Sequence, residues 1–189
     1  MGRLGFAALL LAFMASQADA HIPDARQQQG ALLHPPKDGS TPESWCAAHM
    51  ARGELIQAYF DCEDAIRDNP RNARAFSNRG SLFLLTNDPE KAVADFDVAL
   101  SLQPEDASLF FNRGLAQSRL GRRGEAIADY TQAMRLDPKL AIAYHNRGRE
   151  HEVLGNLDEA IRDYKAALQL APDLTPSRHG LERLGSRKK

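Results

Sequence analysis

Residues 107–140 read ASLFFNRGLAQSRLGRRGEAIADYTQAMRLDPKL, and residues 141–174 read AIAYHNRGREHEVLGNLDEAIRDYKAALQLAPDL. Aligned without a gap, they share Asn-Arg-Gly at places 6–8, Ala at 20, Asp-Tyr at 23–24, Ala at 27, Leu at 30 and Pro at 32. Residues 73–106 keep the same frame, with Phe96 at place 24. Gly80, Gly114 and Gly148 therefore lie 34 residues apart, as do Ala58, Ala92, Ala126 and Ala160, and Pro70, Pro104, Pro138 and Pro172. A fixed period of this length marks a solenoid of stacked helical units, each too small to cover its own apolar face.

The unit reads as two helices. Phe76, Phe110 and Tyr144 stand at place 4, and a turn follows at place 15, where Asn87, Gly121 and Gly155 tolerate the left-handed backbone that ends a helix. Places 20, 24, 27, 28 and 30 form one apolar stripe by their spacing of three and four. Proline at 32 stops the second helix. Small residues at 8 and 20 let the two helices approach, and the ring at 24 fills the remaining space.

The register reaches back to residues 39–72, where Gly53, Ala58, Ala65 and Pro70 fit. Pro42 at place 4 predicts a late start for the first helix. Cys46 falls at place 8 and Cys62 at place 24, so the two thiols face each other where the helices touch. A disulfide between them is expected, and two buried free thiols are the alternative. After Pro172, Thr175-Pro176 and the pair Leu181 and Leu184 predict a capping helix over 176–184.

Ahead of the register, residues 1–20 carry Arg3, an uncharged apolar run and Ala18-Asp19-Ala20, the pattern of a cleavable export signal. The run is too short to span a bilayer. The expected chain starts at His21, works in the periplasm or outside the cell, and has no transmembrane segment. Residues 21–41 read as a flexible leader. Charges balance at 24 basic and 25 acidic residues, which gives no pull toward nucleic acid. No nucleophile motif, phosphate loop, HExxH helix or CxxC pair occurs, so neither catalysis nor a cofactor is expected. A terminal His21 with His34 nearby is the remote route to a metal carrier.

The unit resembles the tetratricopeptide repeat, with residues 73–106, 107–140 and 141–174 as full copies, 39–72 as a degenerate one, and 175–189 as capping helix and basic tail. The resemblance implies an all-α, right-handed superhelix whose concave face holds an extended segment of a partner protein. It implies contact places 2, 5, 6, 9, 12 and 13 of each unit. Here these give Arg74, Asn78, Ser81, Phe111, Asn112, Arg119, His145, Asn146 and Arg149 as groove residues. One subclass grips the terminal carboxylates of cytosolic chaperones. Its clamp places hold Ser77, Ser81, Asn112, Ile142 and Asn146 here, and the basic residues are missing. That ligand class is not expected. A self-assembling envelope module is the alternative to an adaptor. Oligomeric state and partner identity stay open.

A second set repeats. Arg79, Arg113 and Arg147 stand at place 7, and Asp61, Asp95, Asp129 and Asp163 at place 23. These predict a ladder of structural ion pairs between repeats.

Overall fold

A computed structural model describes residues 41–187; the expected signal, the leader up to residue 40 and the last two lysines lie outside the described residues. Among the described residues there are helices and no strands. The order is α1 (Pro42–Ala51), α2 (Leu55–Asp68), α3 (Ala73–Leu85), α4 (Pro89–Leu102), α5 (Ala107–Arg119), α6 (Arg123–Leu136), α7 (Ala141–Val153), α8 (Leu157–Leu170) and α9 (Thr175–Arg187). None of the described helices is long and apolar enough to cross a membrane.

Local chemistry sets the helix ends. Thr41 and Ser44 form a reciprocal capping box at α1, with Pro42 at the first helical place. Asn72 caps α3 by accepting from the Ala75 N–H, and Asp106 caps α5 by accepting from the Ser108 N–H. Each first helix ends in the same turn. Gly53, Asn87, Gly121 and Gly155 take positive φ between 61° and 81°. The next N–H then reaches back five residues, as from Arg122 to the Gln117 carbonyl at 3.0 Å.

The helices form two layers. Each second helix packs on its own partner and on the following first helix, and first helices also touch along the stack: α1 with α3, α3 with α5, and α7 with α9. The first helices are the layer drawn together, so they form the inner face. The capping helix sits where the first helix of a further unit would stand, against α7 and α8. It starts one residue before the expected 176 and runs three past the expected 184. Leu184, 1% exposed, is its anchor against Ala160 and Tyr164, and Gly185 does not break the turn that follows.

Within each unit the ring at place 24 rests on the glycine at place 8. A methyl group on Gly114 would lie 2.8 Å from Tyr130 Cε1. Phe96, Tyr130 and Tyr164 are at most 1% exposed. In the first unit a disulfide joins Cys46 to Cys62 with the Cα atoms 5.2 Å apart, so a covalent link stands where the other units have ring on glycine.

Gly114→Ala is expected to lower stability by about 1–3 kcal/mol, since neither the backbone of α5 nor the packed Tyr130 ring has room to yield. Equilibrium urea unfolding measures it. Removing the disulfide as Cys46→Ala/Cys62→Ala should cost about 3 kcal/mol from the loop it closes. In the oxidised wild type the same loss should appear on adding reductant.

Candidate functional site

The inner face presents the first helices. On the side of these helices that meets the second helices, the arginines at place 7 serve two units each. Arg113 Nε and Nη2 donate to both oxygens of Asp129, at 2.9 and 2.6 Å, and its Nη1 donates to Asp97 of the preceding unit at 2.6 Å. Arg79 grips Asp95 in the same fork and reaches Glu63. Arg147 grips Asp163 and reaches Thr131 Oγ1 at 3.0 Å. The aspartate is thus in the arginine's own unit, and place 25 of the unit before supplies the third contact. Contact with aspartate and glutamate holds the Arg79 guanidinium firmly protonated. Asp61, fourth in the register, has no arginine at place 7 of its unit. It accepts from Gln57 Nε2 at 3.1 Å and bonds His49 Nδ1.

The groove residues expected from the resemblance divide into three kinds. Some are engaged in holding the stack: Asn78 Nδ2 donates to the Glu43 carbonyl at 3.2 Å, Arg119 Nη1 donates to the Leu84 carbonyl, and Arg74 lies 3.5 Å from Glu43. Some keep their polar groups unspent. Asn112 and Ser81 are half-buried, and their side chains make no hydrogen bond to a described residue. Phe111 packs its ring 5.9 Å from that of Tyr130. Others lie at the far end, beneath or beside the capping helix. His145 and Asn146 are each 7% exposed, and His145 Nδ1 lies 2.8 Å from Ser177 Oγ of α9. These two are therefore not open to a passing chain as Asn112 is.

Where α7, α8 and α9 converge they leave a cleft of about 760 Å³. Its walls carry Tyr164, Val153 and Pro176 on the apolar side. Its polar groups are His145, Arg149, Glu152, His179 and Arg183. Both oxygens of Glu152 accept from Arg183, each at 2.8 Å, and one also accepts from the Tyr164 hydroxyl at 2.8 Å. Burial and that carboxylate push the Tyr164 phenol well above its ordinary pKa. Burial first, then the charges of Arg149 and Arg183, push His145 below its ordinary value. The 34-residue register does not point to Ser177, His179 or Arg183, because the capping helix departs from the repeat; only its helical period marks them as one element.

Models of the tetratricopeptide repeat match residues 48–107, 107–140 and 141–174, about two thirds of the sequence taken together. The chain belongs to the tetratricopeptide-repeat family. No curated protein sequence matches it. Among solved structures, MamA is similar at a TM-score of 0.72 and 18% identity, covering 76% of this chain and 84% of that one, a likeness of fold alone. PilW, a widely conserved type IV pilus biogenesis factor, is similar at 0.70 and 27% identity over 76% of this chain and 66% of its own. The second repeat domain of human RPAP3, solved with the HSP70 peptide SGPTIEEVD, is similar at 0.56 and 28% identity over 58% and 92%. The tetratricopeptide-repeat fold is typically a non-enzymatic interaction scaffold, and that is the architecture of this protein.

Arg113→Ala is expected to lower stability by about 3 kcal/mol, because it strands Asp129, whose side chain is only 8% exposed. Arg113→Met/Asp129→Leu should recover most of that loss in the same urea titration. His145 gives a pH signature. The unfolded chain takes up this proton near pH 6.5 and the folded chain only below that. The stability held above about pH 6.5 is thus lost as pH falls toward the lowered folded value. His145→Gln should lose less melting temperature than the wild type between pH 7.5 and 5.5.

Proposed function

We propose that this protein is a non-enzymatic adaptor that holds an extended segment of a partner protein along its inner face, in an extracytoplasmic compartment. The observation that carries the reading is the state of the inner-face side chains. Asn112 keeps two donor and two acceptor sites uncommitted among the described residues, and an amide of this kind meets both the N–H and the C=O of a peptide backbone. The first helices on either side of α5 also leave apolar side chains open to solvent: Leu85 at 60% exposure on α3, and Ile142 at 37% and Val153 at 58% on α7. Polar amides flanked by apolar contacts suit a segment whose backbone is satisfied and whose side chains find apolar footing.

The RPAP3 domain, similar in fold and 28% identical, is solved with a bound peptide, which supports peptide binding by this fold. The disulfide and the signal-like first residues support export, and the similarity to the pilus biogenesis factor PilW is compatible with it. Within this reading Asn112, Ser81 and Phe111 are the ligand-facing groove residues. The place-7 arginines and place-23 aspartates hold the stack.

The test is a photo-crosslinking capture from native envelope, comparing the wild type with Leu85→Asp/Asn112→Ala. Loss of specific partner bands with an unchanged melting temperature is the expected outcome. Undiminished capture of every partner by the folded double variant would remove the inner face as the binding surface. Sedimentation over a concentration series addresses self-assembly, for which a monomer at all concentrations is expected.

A further inference from the structure

The first unit is held shut by means the other units do not use. Its α1 has ten residues, where α3, α5 and α7 have thirteen each. Cys46 is the one buried residue of α1, while α3 buries five residues, α5 four and α7 five. Trp45, His49 and Met50 are half-buried beside it. Trp45 stands at place 7, so no arginine fork closes this hairpin. By contrast α2 buries Ala58, Asp61, Cys62 and Ala65 and packs on α3 as well as on α1.

Closed, α1 occupies the start of α3. The Glu43 carbonyl accepts from Asn78 Nδ2 at 3.2 Å. Its carboxylate accepts from Asn72 Nδ2 and lies 3.5 Å from Arg74 Nη1. Three side chains at the head of α3 are thus spent on one residue of α1.

We propose that the Cys46–Cys62 bridge is a redox latch. Oxidised, it holds α1 against α2 and α3. Reduced, it lets α1 open while the later units stay folded, and Asn72, Arg74 and Asn78 return to solvent. The reduced hairpin has neither the bridge nor a ring on glycine, since thiols stand at both places. In a solenoid, stability is a sum over units and their neighbour contacts, so the loss falls on the end unit.

Reduction is a two-electron exchange with a dithiol. A thiolate of the reductant attacks one sulfur of the bridge, and the other sulfur leaves as a thiolate. The second thiol of the reductant then resolves the mixed disulfide. The reductant ends as a disulfide, and its two protons end on Cys46 and Cys62. Both protein sulfurs are buried, so attack follows fraying of α1. Disulfides persist in oxidising compartments, so the latch closes when the chain reaches one. The consequence for partner binding rests on the inner-face reading, because Arg74 and Asn78 are among its expected groove residues. The opening itself does not.

Hydrogen–deuterium exchange of the full chain, oxidised and in dithiothreitol, tests the latch well below the melting temperature. Reduction should speed exchange in residues 42–51 about a hundredfold, the factor set by losing a bridge of this loop length, and leave residues 107–170 within about twofold. The side-chain amide signals of Asn78 should shift in NMR spectra, and those of Asn112 should hold. Glutathione disulfide should restore the oxidised pattern. Cys46→Ala/Cys62→Ala should show the reduced pattern and ignore dithiothreitol. Protection lost evenly over all units overturns the proposal, as does unchanged exchange of α1 once two thiols are counted, or failure to close again on reoxidation. No partner enters these measurements. Failure of the groove reading therefore shows in the capture experiment alone, and failure of the latch shows here alone.

Discussion

Close approach of two antiparallel helices, ring on glycine, is the contact on which the rest of the molecule depends. A side chain as small as alanine at Gly80, Gly114 or Gly148 would sit 2.8–3.1 Å from the facing ring. That proximity buries Phe96, Tyr130 and Tyr164, and aromatic side chains are the largest apolar contribution a unit of this size has available. It also fixes how far apart the helix axes lie, and so where the place-7 arginine falls relative to the place-23 aspartate. The same ring makes the last docking possible. Tyr164 has Gly148 of α7 against one edge and Gly180 of α9 against the other, where an added methyl would lie 2.6 Å away. The capping helix joins the stack by the device the repeats use internally.

The place-7 arginine turns that pairing into a stack. Its fork closes on the aspartate of its own hairpin, and its remaining nitrogen crosses to place 25 of the unit before. Burying an ion pair gains little by itself over a packed apolar pair. What this pair supplies is register: the guanidinium is planar and rigid, and it fits two carboxylate oxygens and a third acceptor only when both units are correctly seated. Crossing contacts made by Ser118 and Arg123 on the buried Glu150, at 2.6 and 2.7 Å, do the same between α5, α6 and α7.

How much of this was legible follows from which residues repeat. The fold was readable because glycine, alanine, ring and proline recur in one frame, and the facing of Cys46 and Cys62 follows from that frame alone. The arginine and aspartate sets were visible too, but a linear frame does not say whether an arginine meets the aspartate of its own hairpin or that of a neighbour. The helix crossing decides that. The site was legible in the middle of the stack and not at its end. His145 occupies the same place as Phe111, yet it bonds Ser177 of α9, and Asn146 at the place of Asn112 is buried. The residues of α9 that meet this end, Ser177, Gly180 and Arg183, stand outside the period.

The two ends depart from the repeat for one reason, the loss of a neighbour. An arginine at place 7 takes its third contact from the unit before it, and the register does not extend ahead of residue 39. Place 7 of the first unit is Trp45, and Asp61 is held by His49 and Gln57 from within its own hairpin. Its helices are fastened by a disulfide, which needs no neighbour to hold it shut. At the other end α7 lacks a following unit, and α9 takes that place with a different set of side chains. A repeat would have brought Asn, Arg and Gly in frame. The capping helix instead brings Ser177, His179, Gly180 and Arg183, which shield His145, occupy Glu152 and leave Arg149 beside an open cleft. Freed from the repeat's constraints, the end of the stack is closed by side chains chosen to fit the last repeat, Arg183 on Glu152 and Ser177 on His145.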